Sequence, residues 1–210
     1  MAPSPSIDFI SDVICPWCFI GLTRLEAALA EEGAQDAPIA FHPFQLDPST
    51  PLDGVDLRES LRAKFGSDPE PMFRRVEAAA KESGIALDFA KVRRSPNTLK
   101  AHTLIARAVD KGTQHAFAKA VFVAHFLEGK DVGDDGVLVE LASAHGFGRA
   151  EAKGVLADRL ALDATREEAA AASRQGVRGV PFTIFGGKLA VSGAQPTDIF
   201  REAFRRAKTG

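Results

Sequence analysis

The placement of apolar residues divides the chain into a strand–helix–strand opening, a long helical middle, and a helix–hairpin–helix close. Residues 6–14, SIDFISDVI, are apolar and β-branched and predict a strand that ends just before a cysteine. From Cys18 the run FIGLTRLEAALAEEG places Ile20, Leu25, Ala28 and Leu29 on one helical face, with Gly33 as its stop. PIAFHPFQL, residues 38–46, predicts a second strand. The opening is therefore a β-α-β unit.

After it the pattern changes. FQLDPSTPLDG is rich in proline and turn-like. From Val55 to Leu162 every strong segment reads as helix: LRESLRAKFG, DPEPMFRRVEAAAKESG, NTLKAHTLIARAVDKG with Asn97 as N-cap, Gln114–Leu127, DDGVLVELASAHG and GRAEAKGVLAD. Glycines 66, 84 and 112 close three of them. DATREEAAAASRQG predicts a helix from Asp163, with Thr165 and Glu168 as a capping box. VPFTIFGGKLAVSG predicts a hairpin turning at Gly186-Gly187, and PTDIFREAFRRA a last amphipathic helix.

The chain has 210 residues, enough for one domain, or one with an insertion, at about 150 residues per domain. A composition of 45% hydrophobic and 26% charged residues excludes disorder. A net charge of −2 gives no pull toward nucleic acid or an anionic membrane. The N-terminal residues lack the basic and apolar regions of a signal peptide, and no apolar run approaches the ~20 residues of a membrane span. The expected location is the cytoplasm, where a close cysteine pair points to catalysis, redox sensing or a metal rather than a structural disulfide.

The only two cysteines are Cys15 and Cys18, in the stretch CPWC. A strand–helix junction puts Cys15 at a helix N-terminus, where unpaired N–H groups and the dipole stabilise a thiolate. Cys18 lies one turn on, within disulfide reach. Pro16 suits the first helical position. The expected roles are Cys15 as exposed nucleophile and Cys18 as buried resolving thiol, as exchange through a mixed disulfide requires. The alternative is zinc, which needs about four ligands. A second CxxC is absent and the five histidines are scattered, so no metal site is expected. A second signal, GVRGVPFTIF, opens a strand at Val180-Pro181. One reading is a plain edge-strand proline. The other is a cis proline facing the CxxC loop, with the Val180 backbone offered to an extended substrate.

With these pieces in place, the chain resembles the DsbA-like thioredoxin-fold oxidoreductases, and more closely their FrnE-type cytoplasmic branch. The resemblance is carried by SDVICPWCFIG at 11–21, FHPFQLDP at 41–48, KFG at 64–66, SPNTLKAHTLIARA at 95–108, FLEGKDVGD at 126–134, GVRGVPFTIF at 176–185 and SGAQP at 192–196. It implies an α/β thioredoxin-like fold: a central mixed sheet flanked by helices, discontinuous over 1–50 and 163–210, with an all-helical domain at 51–162 inserted after strand 2. It implies dithiol–disulfide cycling at Cys15 and Cys18, beside a cis Pro181. Some relatives carry a further cysteine pair that this chain lacks. A neighbouring branch, the glutathione-dependent 2-hydroxychromene-2-carboxylate isomerases and kappa-class glutathione transferases, typically has serine at the position of Cys15.

Other residues have a bland reading beside a functional one. Asp12 is a loop or capping aspartate, or an acid serving the resolving thiol. His42, alternating with Phe41 and Phe44 on strand 2, is a surface or satisfied histidine, or a catalytic one. Asn97, Lys100 and His102 match the family's NTxxAH segment, with Asn97 and His102 as candidates for the substrate groove. Gln195 is a loop residue or touches a peptide or glutathione. Phe19, Phe65 and Met72 are core residues or an apolar rim for clients. The expected activity is a protein dithiol–disulfide oxidoreductase with no tightly bound cofactor and with glutathione as a candidate co-substrate. Its partners are protein thiols and disulfides or glutathione, not nucleic acid or membrane, and monomer and homodimer both stay open. The rivals are a glutathione-dependent isomerase or transferase and a redox-switched chaperone.

Overall fold

The computed structural model describes residues 5–209. A four-stranded sheet is ordered β2-β1-β5-β6: β1 (Ile7–Ser11) pairs in parallel with β2 (Ile39–Pro43) and antiparallel with β5 (Phe182–Phe185), and β5 pairs with β6 (Leu189–Ser192). The two-residue side-chain period of β1 divides its residues between two faces. Ile7 and Phe9 join Phe185 in the main core, while Ile10 joins Phe44 and Val177 in a smaller cluster.

Helix α1 (Pro16–Glu31) packs against the last helix, α9 (Thr197–Thr209), on the main-core side. Ile20, Leu25, Ala28 and Leu29, the face read from the sequence, are all buried. Between β2 and β5 lie α2 (Leu57–Phe65), α3 (Glu70–Glu82), α4 (Leu99–Arg107), α5 (Gln114–Phe126), α6 (Asp135–Ser143), α7 (Arg149–Ala157) and α8 (Arg159–Arg174). Helix α4 packs on both α8 and β2, so the helical segment closes over the β2 edge of the sheet. Gln114 seals that edge: its side chain accepts from Phe41 N–H at 3.0 Å and donates to Phe41 C=O at 3.2 Å. The hairpin turns where read, with Gly186 and Gly187 both left-handed at φ 58 and 67.

Three expectations fail. Helix α8 starts at Arg159, not Asp163, because Asp158 caps it by accepting from Leu160 and Ala161 N–H. It runs unbroken through positions 162 and 163, so Thr165 and Glu168 form no capping box. Thr165 is buried and donates to Ala161 C=O, and Glu168 reaches His42. Asn97 does not cap α4 as its N-cap residue, since that position is Thr98; its Oδ1 instead accepts from Leu99 N–H. The region read as wholly helical also holds a short antiparallel pair, β3 (Val55–Asp56) with β4 (Arg94–Ser95).

Candidate active site

Strand β1 delivers the chain to a tight turn in which Cys15 N–H donates to Asp12 C=O at 2.9 Å. Cys15 is the N-cap of α1, extended at φ −87 and ψ 112, and Pro16 is the first helical residue. Cys18 N–H donates back to Cys15 C=O at 3.0 Å. Both cysteines are free thiols and hydrogen-bonded to each other.

The hairpin brings the second half of the site. The Val180–Pro181 bond is cis, and Cys15 Sγ donates to Val180 C=O at 3.6 Å. That contact corrects one expectation. Cys15 is not exposed but only 3% accessible, because the Val180 segment covers it. The residue at the surface is Trp17, at 37%. Cys18 is fully buried, and burial pushes its thiol well up, with Cys15 alongside adding to the rise. Of the two thiols, Cys18 is thus the one that burial holds in its protonated form.

Two residues missed in the sequence hold the halves together. Gly21, one turn beyond Cys18, lies directly against Pro181; a Cβ there would sit 2.8 Å from the proline Cγ. A glycine inside an apolar helical pattern is the signal that pointed to such a close approach. Arg24, three residues further along that helix, donates from Nη1 to Ala194 C=O and from Nε to Ser83 Oγ, each at 2.8 Å. Gly193 N–H donates to Pro181 C=O at 2.8 Å, which ties the end of β6 to the same loop.

Asp12 is buried beneath the cysteines. Its Oδ1 accepts from His102 Nε2 at 3.2 Å and its Oδ2 from Leu46 N–H at 2.8 Å. His102, on α4, comes from 90 residues away and is also buried. His125 on α5 is buried nearby, and desolvation lowers its pKa to about 4; its Nδ1 donates to Lys130 C=O at 3.4 Å. His42 donates to Glu168 and Asp8, both at 3.0 Å, and those carboxylates, Glu168 first, raise its pKa.

The remaining candidates sit elsewhere. Asn97 donates to Thr50 C=O at 2.6 Å, and Lys100 pairs with Asp135. Gln195 is exposed and its amide turns back to Ser192 C=O, though its loop adjoins Pro181. Phe19 does not belong to a rim: it is buried and stacks on Phe122 and Phe126. Met72 is partly buried against the core, and Phe65 is exposed. Among the described residues no cluster of His, Cys, Asp and Glu is placed to hold a metal ion, and no helix is long and apolar enough to cross a membrane.

Residues 6–205 match the DSBA-like thioredoxin domain. The chain belongs to that family. It is accordingly a thiol–disulfide oxidoreductase of the DsbA-like class. It is similar to a protein described as a probable DsbA oxidoreductase from Streptomyces coelicolor: 32% identical, TM-score 0.87, covering 97% of this chain and 89% of that one. Its fold is also similar to a 2-hydroxychromene-2-carboxylate isomerase, at 18% identity and TM-score 0.74, covering 96% of this chain and 95% of that one. A third likeness is the cytosolic disulfide reductase DsbM from Pseudomonas aeruginosa, solved with glutathione, at 18% identity and TM-score 0.67, covering 96% of this chain and 98% of that one. At that identity the last two likenesses concern the fold alone.

Proposed function

We propose that the protein is a cytoplasmic dithiol–disulfide oxidoreductase of the FrnE-type branch that works through a mixed disulfide on Cys15. The observation that carries this reading is the disposition of the two sulfurs. Cys15 heads α1 with its sulfur under the Val180 carbonyl, while Cys18 sits one turn behind it, sealed from water and protonated.

The Cys15 thiolate attacks one sulfur of a substrate disulfide, forming Cys15–S–S–R and expelling the other sulfur as a thiolate. Cys18 then loses its proton and attacks Cys15 Sγ. A Cys15–Cys18 disulfide forms, and R leaves as a thiolate. Two electrons pass from the enzyme dithiol to the substrate, and an external thiol of the glutathione class returns them. The run from Val180 into β5 offers backbone groups beside Cys15, which suits an extended peptide on either side of its disulfide. The helical segment 51–162 is read as an insertion that walls this face. Pro-Trp between the sulfurs lacks the added positive charge of a histidine, so the pair is less oxidising than the about −120 mV of DsbA.

The test is trapping with Cys18→Ala. This variant retains the nucleophile but cannot resolve, so it accumulates mixed disulfides that mass spectrometry identifies as protein or glutathione adducts. Multiple-turnover reduction of a peptide disulfide should vanish. Turnover that survives in Cys18→Ala with glutathione present would instead favour a glutathione-dependent isomerase or transferase, the activity named for one of the folds it resembles.

A further inference from the structure

The loop after α5 and the segment entering β4 form a cavity that the cysteine site does not use. Its volume is about 290 Å³, and its walls carry Lys91, Arg93, Arg94, Lys130 and Asp131 together with the buried His125. One wall belongs to the stretch FLEGKDVGD at 126–134, to which the redox chemistry gives no role. The two walls are locked together. Gly129 has φ +68, and a Cβ there would meet Lys91 C=O at 2.6 Å, so the loop closes directly onto the backbone facing it. The charges do not cancel. Arg94 pairs with Asp131 at 3.3 Å and Lys130 with Glu128 at 3.0 Å. Lys91 has no carboxylate partner among the described residues; its Nζ donates to Leu127 C=O at 3.2 Å, where it also offsets the negative end of the α5 dipole. The Arg93 guanidinium has no partner at all among the described residues. His125 is the second, independent observation. Buried polar groups are ordinarily hydrogen-bonded. The His125 ring is only 4% exposed, yet it uses one nitrogen: Nδ1, on Lys130 C=O at 3.4 Å. Nε2 has no partner among the described residues.

We propose that this cavity is a binding site for a phosphate-type oxyanion, with Arg93 and Lys91 as its charged arms and His125 Nε2 as the donor within it. The inference is independent of the disulfide-exchange reading. A guanidinium fork matches the oxygens of a phosphate in bidentate geometry, and a buried imidazole adds a directed bond that a bare lysine does not. The volume equals that of about ten waters at ~30 Å³ each, which leaves room for a small organic group beyond the phosphate itself. Because Nδ1 is already the donor to Lys130 C=O, Nε2 can donate only when the ring carries both protons. Desolvation holds the ring's pKa at about 4, so it is neutral near pH ~7. An anion against Nε2 favours the charged ring, so binding draws a proton into the site and affinity rises as pH falls. The charged groups acting on His125 are Asp131 from the loop after α5 and Asp12 from the turn before α1. Lys91, Arg93 and Arg94 face it from the segment entering β4, and Lys130 from the loop.

Calorimetric titration of the protein with sulfate at low ionic strength tests the site, since sulfate keeps its double charge across the pH range used. The wild type should bind it at a single site. Arg93→Ala should weaken that binding at least ~5-fold. The side chain is exposed and unpartnered, and the Arg93 C=O that accepts from Leu57 N–H is untouched, so the fold is not at risk. Wild-type affinity should rise several-fold from pH ~7.5 to ~5.5, and His125→Gln, which retains a donor for Lys130 C=O, should flatten that rise. A parallel titration compares inorganic phosphate with glycerol 1-phosphate. Tighter binding of the ester assigns the site to a phosphorylated small molecule, and tighter binding of the free ion assigns it to phosphate itself. A wild type that takes up no sulfate at millimolar concentration, or an Arg93→Ala variant that binds it equally well, overturns the site. A His125→Gln variant whose affinity follows pH as the wild type's does overturns the role of the histidine. If His125→Gln fails to fold, Arg93→Ala decides alone.

Discussion

Gly21 and Pro181 touch across 160 positions of sequence: no side chain larger than hydrogen fits between α1 and the loop that covers Cys15, since a Cβ would meet Pro181 Cγ at 2.8 Å. Gly21→Ala sets two effects against each other. Alanine in a helix interior gains up to about 1 kcal/mol over glycine. Overpacking a filled site costs about 1–3 kcal/mol. Here the clash is with a rigid ring, and the Ala194 backbone lies 3.5 Å away on another side, so overpacking wins. The variant should unfold at lower urea concentration. It should also reduce a peptide disulfide more slowly, because the Val180 carbonyl moves off Cys15. A variant of undiminished stability and rate would show that the loop yields freely.

Thr183 presents the opposite case. Its hydroxyl is fully buried in β5 and no partner atom is within bonding reach. An unsatisfied buried hydroxyl costs on the order of 1 kcal/mol or more. Valine retains the branched shape that suits a strand. Thr183→Val should raise the melting temperature by about 2–4 °C, the shift that 1 kcal/mol produces in a chain of this size. Calorimetry at neutral pH checks it, and a lower melting temperature would mean that the hydroxyl is satisfied in solution.

His125 sets an acid limit on stability. Its folded pKa of about 4 lies below the ~6.5 of an unfolded histidine. Between these values the unfolded chain binds a proton that the folded chain refuses. Stability is therefore constant with respect to this group above pH ~6.5, and it is lost as pH falls from there toward about 4, by on the order of 3 kcal/mol. His125→Gln removes the titrating group while leaving a donor for Lys130 C=O. In urea unfolding the wild type should weaken relative to this variant as pH falls through that window. Parallel curves would place His125 in contact with water.

Trp17 reports the redox state directly. It is the only tryptophan, stands between the two cysteines, and is partly exposed. Closing or opening a bond between its neighbours on either side changes its surroundings. Reduction with dithiothreitol should shift its emission in proportion to the free thiols counted by alkylation. Constant emission through complete reduction would mean that Trp17 senses neither sulfur.

Much of this site was readable in the chain because its signals are local. A strand pattern running into Cys-Pro-Trp-Cys marks a strand–helix junction, since proline at a first helical position and an apolar stripe behind it are properties of neighbouring residues. Gly186-Gly187 marked its turn for the same reason: left-handed backbone is needed at both positions, and glycine adopts it freely. The start of α8 misled because two plausible caps, Asp158 and Thr165, lie seven residues apart. Asp158 wins with two bonds to backbone N–H groups, and Thr165 is drawn instead into the core against Thr103.

The sequence by itself determined most of the elements, their order and the place of the two cysteines at a strand–helix junction. Periodicity, caps and turn residues act over a few positions and carry their own energetics. Only the tertiary structure decided how those sulfurs are housed. It covered Cys15 with Val180, set Gly21 against Pro181, turned Phe19 into the core, and joined Asp12 to a histidine 90 residues away. Burial and pairing depend on which remote segment arrives at a given face, and that is fixed by packing of the whole chain rather than by the residues beside the cysteines.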